Sequence, residues 1–132
     1  MSTIKLKLQV MCGDAIAMGP GKAQLLDRIK LTGSIAGAAR DMQMSYRRAW
    51  QLVDVMNRCW NARLVETVPG RAQGGACVTE LGETVLAGYR ALQASLDDCA
   101  AQNGWHDLTT LIRAEPLTQQ PLAGPMSAHN AS

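Results

Sequence analysis

Two adjacent arginines and a glutamine, Arg47, Arg48 and Gln51, follow a serine and a tyrosine in the run MSYRRAWQ. The planar donor fork of Arg matches guanine O6/N7 or a phosphate bidentately, and Gln can bond adenine N6/N7. Such a cluster recognises charge and hydrogen-bond pattern and carries out no bond-breaking chemistry. A solvated helix face holds arginine pairs by default, so the surrounding elements must decide. Lys22 and Ser34 either touch phosphate or simply sit at helix ends, and both readings stand. Arg71 and Gln73 lie in the glycine-rich run PGRAQGG, whose backbone can lie close to a groove or a phosphate.

Other chemistries find little support. The two histidines, His106 and His129, both lie in the C-terminal region, and no nucleophile, base and orienter can be assembled from adjacent elements. The chain therefore reads as no enzyme. Cys12, Cys59, Cys77 and Cys99 form no CxxC pair and do not match the spacing of zinc frameworks. They are expected to be reduced thiols packed as small buried hydrophobes, and neither metal nor cofactor is expected.

A chain of 132 residues fits one domain with a tail, and 47% hydrophobic with 18% charged residues is ordinary for a folded protein. No apolar run approaches the ~20 residues of a membrane span, and the N-terminus lacks a signal peptide's layout, so a cytoplasmic protein is expected. The net charge of +2 hides an asymmetry. Residues 20–75 carry nine basic and four acidic side chains, and residues 76–132 carry two basic and six acidic ones. One half can face a polyanion while the other faces away.

The elements that position these residues follow from periodicity. Ile4 to Val10 alternates strictly, which predicts a strand returning over Ala15 to Met18. Pro20 opens a helix that Gly33 ends, and Ser34 caps a short helix rich in alanine, Ile35 to about Met42. Ser45 caps a third helix to about Trp60, with Tyr46, Ala49, Val53, Met56 and Trp60 on one stripe expected to be buried. Residues 64–68 and 76–78 read as strands around the glycine-rich turn. Thr79 then caps a last long helix with a stripe of Leu81, Val85, Tyr89, Leu92, Leu96 and Cys99. Trp105 to Arg113 predicts one or two more helical turns. From Pro116 the chain holds three of its five prolines and no charged residue, and reads as a disordered tail.

Two packed helices, the second short and the third polar in its first turns, followed by a hairpin, describe a winged helix-turn-helix. The fold class expected is therefore mainly α with a small β component: an N-terminal β-hairpin, a β-wing and a long C-terminal helix. The runs GPGKAQLLDRIKLTGSIAGAARDMQMSYRRAWQLVDVMNR and LVETVPGRAQGGACVTELG resemble the N-terminal winged-helix domain of ModE-type molybdate-dependent transcriptional regulators. More distantly, Gly33-Ser-Ile-x-x-Ala-Ala39 and the following helix resemble the LysR-type DNA-binding domain. The resemblance covers about Ile4 to Leu92. It implies dimeric, DNA-binding transcriptional control of molybdenum-related genes.

The expected organisation is a DNA-binding domain over 1–101, with a dimerisation helix at 80–100, a short helical extension over 102–115, and a tail over 116–132. Lys22, Ser34, Ser45, Arg47, Arg48, Gln51, Arg71 and Gln73 are the expected DNA contacts. Arg48 is favoured as base reader because Gln51 follows on the same edge, and Arg47 as phosphate anchor. Val85, Tyr89, Leu92 and Leu96 are the expected homodimer contacts. No segment reads as the oxyanion-binding barrel that full-length relatives of the ModE type carry, so direct molybdate binding is not expected. The competing reading is a winged-helix module for protein–protein contact without DNA binding.

Overall fold

Apolar residues recur at helical spacing over three successive segments, and each segment carries its own start and stop signal. The computed structural model describes residues 3–70 and 74–123. In it α1 spans Pro20–Thr32, α2 Ile35–Asp41 and α3 Tyr46–Cys59. Pro20 stands at the first turn of α1, where a missing N–H costs nothing. Gly33 ends that helix in the left-handed conformation, φ 76°, with its N–H on the Ile29 carbonyl. The Ser34 hydroxyl accepts from the Gly37 amide and caps α2, and the Ser45 hydroxyl accepts from the Arg48 amide and caps α3.

Two antiparallel hairpins flank this trio. One pairs β1 (Val10–Cys12) with β2 (Ala15–Met18), and the other pairs β3 (Val65–Val68) with β4 (Gly75–Val78) in the register Val65↔Val78 to Val68↔Gly75. The second hairpin is the wing. It is bonded to the helices through the Ala76 amide, which donates to the Gly33 carbonyl at 2.9 Å. Thr79 then caps α4 (Glu80–Gln102), and α5 (Trp105–Thr109) is a single short helix after Gly104. The order is that of a mainly α winged helix-turn-helix with a small β part.

The core lies where α1, α2 and α3 meet the two hairpins. Met18, Leu25, Leu26, Ile29, Val53, Met56 and Leu64 have essentially no exposed surface. The alanines of α2, Ala38 and Ala39, are buried and short, which lets α1 and α3 approach it closely. Helix α4 lies across α1, tied by Lys30 to Glu83 at 2.8 Å and by Arg90 to Asp27. At Gly82 α4 runs so near the base of the wing that a Cβ would stand 2.5 Å from the Leu64 carbonyl oxygen.

Three expectations are corrected. The strand expected over 4–10 survives only at its end, as Val10–Cys12. Its partner is four residues long and stops at Gly19-Pro20, so residues 4–9 have no edge to pair with. The cysteines are not core: Cys12, Cys77 and Cys99 are exposed and Cys59 is half-buried. Cys12 and Cys77 fall in the short hairpins, Cys99 in the far half of α4, and Cys59 at the end of α3. Tyr46 is 54% exposed instead of buried, at an open cleft that it lines with the start of α2 and the wing.

Residues 110–123 contain no helix or strand, so the C-terminal extension is one short helix, and residues 124–132 lie outside the described residues. Among the described residues no helix is long and apolar enough to cross a membrane.

Candidate nucleic-acid interface

Helix α3 sorts its side chains by direction. At about 100° per residue, Ala49, Val53 and Met56 share the side that faces the core, and all three are buried. Arg47 and Gln51 then lie nearly opposite that side and only about 40° apart. Both are exposed, and among the described residues no carboxylate pairs with Arg47. Further along the same face Arg58 is engaged with Asp54 at 3.0 Å, an i,i+4 pair that leaves the C-terminal half of the face neutral. The free positive charge is therefore confined to the first turn, where the unpaired N–H groups of the helix add a partial positive charge.

Arg48 points to a different side, toward α1. It shares an open groove with Lys7, Gly21 and Lys22, and with Met44 and Leu52 as the apolar floor. Partial burial holds the Lys22 ammonium below its ordinary range, and the neighbouring Arg48 guanidinium pushes it further in the same direction. Two cations crowded together with no carboxylate between them form a place for an anion. The first turn of α1 opens into this groove with no side chain capping it.

On the third side, Tyr46 and Trp50 face the wing. Their rings stack edge to face with centroids 6.4 Å apart. A shallow cleft of about 240 Å³ separates them from Thr67–Gly70 and Gly74–Ala76. The wing residues Arg71 and Gln73 expected at DNA lie outside the described residues. Ser34 and Ser45 are occupied as caps, so their hydroxyls serve the helices first.

The angle between α3 and the wing is set by a residue that the sequence reading passed over. Asn57 Nδ2 donates to the Val65 carbonyl at 3.0 Å, while its Oδ1 accepts from the amides of Leu64 and Val65 at 2.9 and 3.1 Å. One side chain thus satisfies three backbone groups at the root of the wing. Its only sequence signal is an amide beside the buried Met56 on an otherwise apolar flank. Trp60 performs a similar task on the other hairpin, its indole N–H donating to the Ala17 carbonyl at 3.1 Å.

The expected dimer contacts divide. Tyr89 is 4% exposed and its hydroxyl donates to the Leu8 carbonyl at 2.9 Å, so it is held inside the protomer rather than offered to a partner. Val85 is half-buried, whereas Leu92 and Leu96 are exposed. Val85, Leu92, Val10 and Trp60 line an apolar groove that opens to the surface. The stripe read from sequence is covered by the chain's own hairpin at one end and bare at the other. Among the described residues no three His, Cys, Asp or Glu side chains gather where a metal ion could be held.

Comparison with known proteins finds relatives over about two thirds of the chain. It is 39% identical over 90 residues to the molybdenum-pterin-binding protein MopA of Rhodobacter capsulatus, covering 67% of this chain and 34% of that one. It is 38% identical over 78 residues to the molybdenum transport protein ModE of Azotobacter vinelandii, covering 58% and 29%. It is 34% identical over 90 residues to the DNA-binding transcriptional dual regulator ModE of Escherichia coli, covering 67% and 33%. The chain thus spans about a third of the length of the curated relatives it matches. No family model matches it.

Proposed function

We propose that this homologue of the ModE and Mop proteins is a sequence-specific DNA-binding transcriptional regulator of molybdenum-related genes, working in the cytoplasm as a homodimer. The observation that carries the reading is the free cationic first turn of α3, with Arg47 and Gln51 opposite the core and Arg48 beside Lys22. In this reading α3 lies in the major groove. Arg47 reads a guanine edge and Gln51, one turn on, reads an adenine. Arg48 and Lys22 hold a phosphate at the open end of α1. This reverses the order favoured from spacing alone, because spacing could not say which side of α3 the first helix occupies. The wing, 69–75, lies on the adjacent groove or backbone, with Arg71 and Gln73 as its contacts.

One such module presents a small reading surface, and two half-sites give the specificity that a genome demands. The pairing face is assigned to Leu92 and Leu96 of α4 together with the groove beside Val85. The extended residues 4–9, which have no strand partner within the protomer, lie along the same side through the Tyr89–Leu8 bond. No molybdate site is assigned to these residues.

The test is to select fragments of genomic DNA with the purified protein, sequence them, and measure affinity for the recovered site at several salt concentrations. A recovered inverted repeat with salt-dependent affinity supports the reading. Absence of salt-dependent DNA binding favours the alternative, a winged-helix module that contacts protein.

A further inference from the structure

We propose that the cleft between the first turn of α3 and the wing seats one sugar–phosphate strand of the duplex, with the Tyr46 and Thr67 hydroxyls donating to one phosphate from its two walls. The inference rests on the reading of α3 as a recognition helix. An α-helix with its side chains is about 10–12 Å across and the major groove of B-DNA is about 12 Å wide. A helix that enters the groove therefore brings both of its flanks against a backbone strand. On α3 the flank toward α1 carries Arg48 beside Lys22. The other flank begins with Tyr46, about 100° around the helix from Arg47, and faces the wing.

The two flanks differ in chemistry. Tyr46 is 54% exposed, and its ring is set edge to face on Trp50, which fixes its direction. The wing's share follows from strand register. Thr67 pairs with Ala76 and lies two residues from Val65, so it shares the strand face on which Val65 and Ala76 are buried against the helices. Glu66 alternates to the opposite face, which keeps its carboxylate out of the cleft. Thr67 itself is exposed, since the cleft before it is open.

Among the described residues neither hydroxyl makes a hydrogen bond, and no charged side chain lines the cleft. Two hydroxyls on opposite walls suit an acceptor with oxygens turned both ways. A backbone phosphate is such an acceptor, whereas a base edge is planar and presented from one side. Trp50 and Val68 supply apolar surface for the carbon face of the adjoining deoxyribose. This flank thus adds affinity through neutral hydrogen bonds and releases no counterion, while Arg48 and Lys22 do the opposite on theirs.

The experiment uses the full chain with the site recovered by genomic selection and a scrambled duplex, at several salt concentrations. Tyr46→Phe keeps the ring contact with Trp50 and Thr67→Val keeps the strand's shape, so both should unfold at the parent's Tm. Each should bind both duplexes about 2- to 10-fold more weakly, the loss of one neutral hydrogen bond, with the parent's salt slope. Single methylphosphonate linkages walked along the site should then name the phosphate. At one linkage the change should cost each variant less than it costs the parent, and that linkage should be the same for both. If the parent binds with salt dependence and both variants bind like it, the inference falls and the α3 reading stands. A loss confined to one base pair, coupling at two different linkages, or a lowered Tm would equally overturn it. A parent without salt-dependent binding refutes instead the recognition-helix reading, and this subsite with it.

Discussion

Replacing Arg47 and Arg48 singly by alanine should produce two different kinds of loss. Arg47 projects away from the core with no carboxylate partner among the described residues, so in the proposed complex it loses a base contact. A good bidentate pair discriminates by about 1–3 kcal/mol, which is roughly 5- to 150-fold in affinity for the cognate site. The loss should fall on one position of the site, and affinity for scrambled DNA should change little. Arg48 sits with Lys22 at the open end of α1 and loses a phosphate contact instead. Each neutralised phosphate adds about 0.9 to the slope of log affinity against log salt. Over a fourfold rise in salt, Arg48→Ala should therefore weaken about 3.5-fold less than the parent does. Its affinity should fall alike on cognate and scrambled DNA. The assay is fluorescence anisotropy with both duplexes at four or more salt concentrations. If Arg48→Ala relaxes base preference while Arg47→Ala changes only the salt slope, the geometric assignment is reversed. If both bind like the parent, the first turn of α3 is a solvated face and the recognition-helix reading fails.

The remaining predictions concern the frame. Asn57→Ala should strip three partners from the root of the wing and lower stability by about 1–3 kcal/mol in urea unfolding, because the Leu64 and Val65 backbone groups lose their acceptor and donor. Gly82→Ala should also destabilise, by about 1–3 kcal/mol in the same assay, since its Cβ would stand 2.6 Å from Val78 Cγ1 as well as against the Leu64 carbonyl. Tyr89→Phe should cost about 1 kcal/mol and speed amide exchange in residues 4–9, as it removes the bond to the Leu8 carbonyl; unchanged exchange would show that the bond does not anchor that segment. Molybdate and tungstate should leave the Tm unchanged, whereas a specific ligand at a hundredfold its Kd would add about 2.7 kcal/mol.

Local rules made most of the fold legible. Pro20, Ser34, Ser45 and Thr79 each mark a helix start, and Gly33 marks an end, because caps are settled by a few neighbouring atoms. What could not be read were quantities that depend on distant partners. The alternation over 4–10 is a genuine strand pattern, yet a strand needs a neighbour, and the returning segment is cut short at Gly19-Pro20. Tyr46 has the right spacing for the core stripe of α3, but it borders the open cleft between the start of α2 and the wing, which no side chain fills. In the site itself, sequence picked out Arg47, Arg48 and Gln51 as a group. Which of the arginines faces outward depended on where α1 docks. Asn57 escaped notice because its work is done on backbone atoms that carry no side-chain signature.

The modest net charge of +2 is not at odds with a polyanion partner, once the charges are followed individually. Helices α1 and α4 exchange opposite charges, Lys30 with Glu83 and Asp27 with Arg90, one pair in each sense, so the basic excess of residues 20–75 and the acidic excess of the last segment survive them. These pairs are half-exposed and add little stability, but they fix the lateral position of α4 over α1. Within α3 the Asp54–Arg58 pair neutralises the far half of the exposed face. Lys22, Arg47 and Arg48 are among the cations that none of these pairs neutralises, and they gather within one helical turn of two helix N-termini, with Lys7 lining the same groove as Lys22 and Arg48. A polyanion responds to the potential at the surface it touches, and over a Debye length of about 8 Å at physiological salt the rest of the molecule is screened. The clustering of Lys7, Lys22, Arg47 and Arg48 on one side, more than the net charge of the chain, is therefore what a duplex approaching that side would meet.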